Sequence, residues 1–194
     1  MEKRKKNIVL FASGNGTNVE NIIRYFQDRK TVGILEVLTN NPHAAVVDKA
    51  NKMHVPVRVF SRQEFSFAEG IVLHLKKMEP DLIILAGFLW KIPVLLIQQF
   101  PQKIINIHPA LLPDFGGKGM YGMHVHEAVI ASGEKQSGIT VHYVDENYDE
   151  GRIIFQATTE VSDSDTPESL AGKIHQLEYL HYPKVIEQLL MKDQ

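Results

Sequence analysis

Two hydrophobic patterns take turns along the chain. Residues 7–12, 34–39, 55–60 and 82–86 carry short apolar runs without strict polar alternation, the pattern of strands buried on both faces. Between them, 18–26, 44–52, 66–78 and 93–99 place apolar residues at helical spacing; Val19, Ile22, Ile23 and Phe26 make one such stripe. Strands separated by helices predict a parallel sheet covered on both faces. Residues 138–144 then alternate, with Ile139, Val141 and Tyr143 on one face and Thr140, His142 and Val144 on the other. An acidic turn follows, 145–151, and a returning strand at 152–158. This predicts an antiparallel hairpin at one edge. Thr166 and Pro167 are a good N-cap and first helical residue, and Leu170, Ile174 and Leu177 continue as one stripe of a long C-terminal helix that Pro183 should break or kink. The expected fold class is therefore α/β, a doubly wound, mostly parallel, Rossmann-like sheet with an antiparallel hairpin and a long C-terminal helix.

The stretch Lys103-Ile104-Ile105-Asn106-Ile107-His108-Pro109 organises the rest. Ile104, Ile105 and Ile107 read as a buried strand, so Asn106 and His108 point to the same face. Pro109 keeps His108 extended and turns the chain away just beyond it. An amide and an imidazole are thereby fixed side by side near a strand's carboxyl end, where open α/β sheets bind ligands.

Other candidate chemistry lies in the connections. Ser13-Gly14-Asn15-Gly16-Thr17 joins the first strand to the first helix, and such a loop offers bare N–H groups to an anion. Valine at 19 stands where a dinucleotide fingerprint needs its third glycine, and no P-loop lysine is present. The second strand ends without an acidic residue for a ribose diol, which argues further against a nicotinamide cofactor. Residues 88–92 form a loop at the Asn106–His108 end of the sheet, with Trp90 as a packing residue or a pocket wall. The glycine-rich 114–123 segment reads as a mobile loop and a candidate cover. His124 and His126 form an H-x-H pair, but without a second short-spaced ligand pair they read as start-of-helix polar groups, the helix running 126–132. His175 and Glu178, three apart on the last helix, face either a ligand or solvent.

Composition narrows the class. The proportions of hydrophobic and charged residues are those of an ordinary soluble protein, and a net charge of −2 gives no footprint for nucleic acid; the basic run at residues 3–6 reads as a solvated tail. Absence of cysteine excludes thiolate chemistry and disulfides. The longest apolar run, 82–97, is interrupted by Lys91 and Pro93 and is too short to span a bilayer. With no signal-like apolar segment at the start, the expectation is cytoplasmic.

At Asn106-Ile107-His108-Pro109-Ala110-Leu111-Leu112-Pro113, with Asp149-x-Gly151 downstream, the sequence resembles the folate-dependent formyltransferases and carries their asparagine, histidine and aspartate. Chain length and the Ser13–Asn18 loop resemble the members that act on phosphoribosylglycinamide in purine synthesis. Domains added at the C-terminus in methionyl-tRNA members, or at the N-terminus in formyltetrahydrofolate hydrolases, are not expected. The resemblance implies one formyltransferase domain over 1–194, with a phosphate-binding half at about 1–100 and a folate-binding, catalytic half at about 101–194. It implies catalytic Asn106, His108 and Asp149, and a substrate site at Gly16, Thr17, Asn18 and Glu178, with His175 beside it.

It also implies a site for 10-formyltetrahydrofolate as co-substrate, at Arg62, Leu89, Trp90, Lys91, Ile92 and Asn106, and along Asp145, Glu146, Asn147, Tyr148 and Asp149. No metal is implied; the partners are small molecules, without nucleic acid or membrane. Trp90 and Lys91 replace the family's usual basic-then-aliphatic pair, and the 116–123 loop is longer than usual. The chemistry expected is direct formyl transfer to a primary amine, with Asn106 and a protonated His108 stabilising the tetrahedral oxyanion and Asp149 raising the His108 pKa. The alternative is hydrolysis of the formyl folate by the same residues.

Overall fold

In the computed structural model, residues 4–192 are described. The elements run β1 (Lys6–Phe11), α1 (Thr17–Gln27), β2 (Val32–Thr39), α2 (Ala45–Lys52), β3 (Val57–Val59), α3 (Arg62–Ser66), a π-helical turn (Ala68–Val72), α4 (Leu73–Met78), β4 (Leu82–Leu85), α5 (Val94–Gln99), β5 (Ile104–His108), α6 (Met123–Ser132), β6 (Gln136–Tyr143), β7 (Ile153–Glu160) and α7 (Pro167–Lys192). The strands form one sheet in the order β3-β2-β1-β4-β5-β6-β7. Pairing is parallel from β3 to β5 and antiparallel in β5–β6–β7. The expected fold class is the observed one.

Alternation within the strands divides the core in two. Ile8, Leu10, Ile84, Ile105 and Ile107 join one cluster with the buried stripes of α1 and α7; Val9, Phe11, Ile83, Leu85 and Ile104 join another with Phe65, Leu75 and Leu96. Burying each such side chain contributes about 1.5–3 kcal/mol.

Several expectations need correction. The helix expected over 66–78 is three pieces. Gly70 has non-helical φ −88° and ψ −116°, and packs so closely on α3 that a Cβ there would lie 1.9 Å from Glu64 O. Helix α6 opens at Met123 rather than His126. Pro183 does not break α7, which continues past it to Lys192. The carbonyl that loses its partner to a proline lies four residues earlier, and Tyr179 O instead accepts a 2.9 Å hydrogen bond from Asn21 Nδ2. Lys3 lies outside the described residues, but the rest of the basic run is not a free tail. Lys6 belongs to β1, and Arg4 pairs with Asp81, whose other oxygen accepts from Asn7 N at 2.8 Å.

Candidate active site

Strand order reverses between β1 and β4, since β2 lies on the far side of β1, and crevices at such a reversal are where open α/β sheets take ligands. A cavity of about 440 Å³ lies there. Three chain segments leaving β1, β4 and β5 line it, namely 14–18, 85–92 and 106–109, with the 117–122 loop, the 144–149 turn and α7 closing its sides.

Gly16 caps α1 with φ +64° and ψ 29°, a left-handed conformation natural to glycine, and among the described residues no side-chain cap bond is made to the helix's first N–H groups. A Cβ at Gly16 would lie 2.4 Å from Val46 Cγ2 and 2.9 Å from Val46 Cα. Gly16→Ala is therefore expected to destabilise the fold by about 1–3 kcal/mol and to displace the loop, which a urea melt would register. Behind the loop, Asn18 Nδ2 donates to Glu178 Oε2 at 2.8 Å, while Asn18 Oδ1 is buried without a partner. Glu178 is only 6% exposed, and burial pushes its carboxyl up to about 7 although the Asn18 bond pulls it down. His175 and Glu178 both line the cavity, Glu178 buried and His175 exposed. Tyr182 anchors α7 beneath them by donating to Leu85 O at 2.8 Å.

The sequence pair Asn106 and His108 lies at the end of β5, both lining the cavity. His108 Nε2 donates to Phe115 O at 2.8 Å, and its Nδ1 lies 3.5 Å from Asp149 Oδ2. Gly117 N donates to the same Asp149 oxygen at 3.0 Å. Asp149 reaches this position because the turn bends back sharply: Asp149 has φ +58°, and Gly151 presses on Tyr143 O so closely that a Cβ would lie 1.8 Å from it. Burial would raise Asp149, but His142, His108 and the Gly117 N–H outweigh it and hold the carboxyl below its ordinary value. For His108 the balance is reversed. Burial lowers its pKa, Asp149 and Phe115 O oppose that, His142 adds to it, and the net shift is downward. Asp149 does raise the His108 pKa as expected, but at 3% exposure desolvation outweighs the carboxylate, so the expectation of a protonated His108 is overturned.

His142, read from the sequence as one face of an alternating strand, is also part of this group. It sits directly across from Asn106 in the antiparallel register, and its Nε2 lies 3.2 Å from Asn106 Nδ2 and 3.6 Å from Asp149 Oδ1. In the tautomer that donates Nδ1–H to Tyr143 O, 2.9 Å away, Nε2 accepts one amide hydrogen of Asn106 and leaves the other for the cavity. The β5–β6 register would have pointed to it.

The remaining expected contacts divide. Leu89, Trp90, Lys91, Ile92, Asp145, Asn147 and Tyr148 line the cavity. Trp90 serves both roles, lying 5.6 Å from Phe65 and 6.0 Å from Phe60 while facing the pocket. Arg62 does not line it; its guanidinium is 4.6 Å above the Trp90 ring. Glu146 does not line it either and is exposed at the tip of the turn, which Asp145 fixes by accepting from Asn147 N at 2.9 Å. His124 and His126, two apart on α6, diverge: His124 is exposed and 3.3 Å from Glu127, and His126 is buried against the pocket. Among the described residues no group of three or more His, Asp or Glu side chains is arranged to hold a metal ion.

A family model described as formyl transferase matches residues 6–186. The chain belongs to the formyl transferase family. The phosphoribosylglycinamide formyltransferase of Bacillus subtilis is 39% identical over 190 residues, 95% of each chain. The chloroplastic phosphoribosylglycinamide formyltransferases of Arabidopsis thaliana and Vigna unguiculata are 41% and 42% identical over 95% and 96% of this chain, which spans only 65% and 61% of their lengths. The crystal structure of the Bacillus halodurans phosphoribosylglycinamide formyltransferase superimposes with a TM-score of 0.87 at 34% identity, covering 97% of both chains. In this member of the family, the Asn106, His108 and Asp149 named from the sequence line one cavity, with Gly16, Thr17, Asn18, His175 and Glu178 lining the same space.

Proposed function

We propose that the chain transfers the formyl group of 10-formyltetrahydrofolate to the primary amine of phosphoribosylglycinamide, a step of purine synthesis. The observation that carries this reading is the Asp149–His108 contact beside Asn106, in the cavity that also holds the uncapped start of α1. Residues present fit both substrates. The free N–H groups at Gly16 and Thr17 suit a phosphate, and Glu178 suits ribose hydroxyls. Leu89, Ile92 and Val144 offer an apolar wall, and the 145–149 turn polar groups, for a flat conjugated ring. The phosphate end falls to the first half of the chain, apart from Glu178 and His175, and the transfer centre to the second. Arg62, stacked on Trp90 outside the cavity, is retained as a contact for the folate's carboxylate tail. The cytoplasmic expectation stays part of this proposal; no described helix is long and apolar enough to cross a membrane.

In the mechanism proposed, the amine attacks the formyl carbon and forms the new C–N bond. Asn106, its amide turned by His142, donates its free N–H to the developing oxyanion. His108 rests neutral, because burial holds its pKa down, and takes the amine proton on Nδ1. Its imidazolium then has Phe115 O at one nitrogen and Asp149 at the other. Passing that proton to N10 as the old C–N bond breaks returns His108 to its starting state. Holding the two substrates together supplies roughly 7–11 kcal/mol, more than either side chain.

The test follows tetrahydrofolate formation with and without phosphoribosylglycinamide. Formation only with the amine is expected; release of formate without it would instead support a hydrolase. Asn106→Ala should lower kcat about 10²- to 10³-fold with both KM values little changed. A variant within a fewfold of wild type removes Asn106 from the chemistry.

A further inference from the structure

His126 has no part in that mechanism, yet it lies in the first turn of α6, 3% exposed, against the cavity. Its Nδ1 is sealed from solvent without a hydrogen-bond partner. Its Nε2 is not sealed and has no hydrogen-bond partner among the described residues. A neutral imidazole carries one N–H, and a sealed N–H without an acceptor forfeits a bond it would make in water. Placing the proton on Nε2 leaves only a lone pair unmatched and presents a donor to the pocket. Burial, with His175 and His108 nearby, holds His126 down to about 4, so that donor is uncharged throughout the neutral range.

Its position selects the acceptor. The two imidazoles close enough to act on it are His175, which lines the cavity with Glu178 on α7, and His108 at the transfer centre. A phosphoribosylglycinamide that spans these points has its amine at His108 and its ribose at Glu178. Between them lies one strong acceptor, the amide carbonyl oxygen. We propose that His126 Nε2–H donates to that carbonyl, making His126 a substrate-binding residue that selects for a glycinamide over a plain alkylamine. This assignment rests on the function proposed above.

The experiment compares phosphoribosylglycinamide with an analogue whose amide carbonyl is a methylene, in wild type and in His126→Phe. Wild type should favour the natural substrate by about tenfold in kcat/KM through this contact, and His126→Phe should lose that preference with the KM for formyl folate unchanged. Equal loss on both substrates, or a preference that survives, overturns the proposal. Should His126→Phe fail to fold, NMR of ¹⁵N-histidine-labelled wild type reads the tautomer directly. Protonated Nε2 and bare Nδ1 are expected between pH 6 and 8, with the Nε2–H resonance moving on saturation with the natural substrate but not with the analogue. A proton on Nδ1, or equal movement with both, sinks it. Absence of any transfer by wild type would defeat the functional reading, whereas normal transfer with unaltered selectivity defeats only this one.

Discussion

Replacing Asp149 by asparagine is expected to lower kcat by about 10²- to 10³-fold while both KM values stay within a few fold. The carboxylate lies 3.5 Å from His108 Nδ1 and 3.6 Å from His142 Nε2, with Gly117 N bound to it at 3.0 Å. Asparagine can keep the Gly117 bond through its oxygen, so the turn should hold its shape. What it cannot supply is the negative charge that a buried imidazolium needs during proton transfer. Removing one partner of a buried charge pair commonly costs about 3–5 kcal/mol; half-open pockets fall at the lower end or below, which corresponds to the kinetic loss given. The pH profile tests the cause. Asp149 raises the His108 pKa against the stronger lowering by burial, so its removal drives that pKa lower still. The acidic limb of kcat/KM, where His108 of the free enzyme becomes protonated and can no longer accept the amine proton, should move to lower pH. A limb that stays in place would separate Asp149 from His108 and leave the carboxylate a structural part of the turn.

Features that depend on neighbours in the chain were legible in the sequence. Continuous apolar runs and helical stripes gave the strands and the α1 surface, and the spacing of Asn106 and His108 before Pro109 put two polar groups on one face. Where the reading failed, a distant group decided the outcome. Helix 66–78 broke because Gly70 packs against Glu64 O, and α7 survived Pro183 because Asn21, on another helix, satisfies Tyr179 O. His142 joined the site through strand register, which alternation alone does not reveal. Arg62 and Glu146, placed in the site by resemblance, do not line the cavity, since one stacks on Trp90 and the other stands at the tip of a turn. The His108 shift went the other way because a local sequence names the nearby charge but not the depth of burial.

Glu178→Gln is expected to stabilise the protein at pH 8 and to cripple substrate binding at once. The carboxyl is raised from 4.5 to about 7 by burial, so between those values the native state holds a proton that the unfolded chain has released. Stability therefore falls as pH rises through that window, and the cost is complete above it, about 3 kcal/mol. Glutamine imitates the protonated form, since its oxygen can still accept from Asn18 Nδ2 and its amide faces the cavity. At pH 8 the variant should melt roughly 5–10 °C above wild type, and at pH 4.5 the two should nearly coincide. His126 acts with the opposite sign: lowered to about 4, it refuses a proton that the unfolded chain accepts, so both proteins lose stability as pH falls from 6.5. Only wild type is limited from both sides. In the function proposed, the same charge that strains the resting fold accepts the ribose hydroxyls, and replacing a charged acceptor costs about 1.5–3 kcal/mol. The KM for phosphoribosylglycinamide should accordingly rise about 10- to 100-fold, with the KM for formyl folate unchanged. Thermal melts at pH 4.5, 6 and 8 and one KM series decide it. Equal melting temperatures at pH 8 would mean that Glu178 carries no buried charge there, and an unchanged KM would remove it from the substrate site.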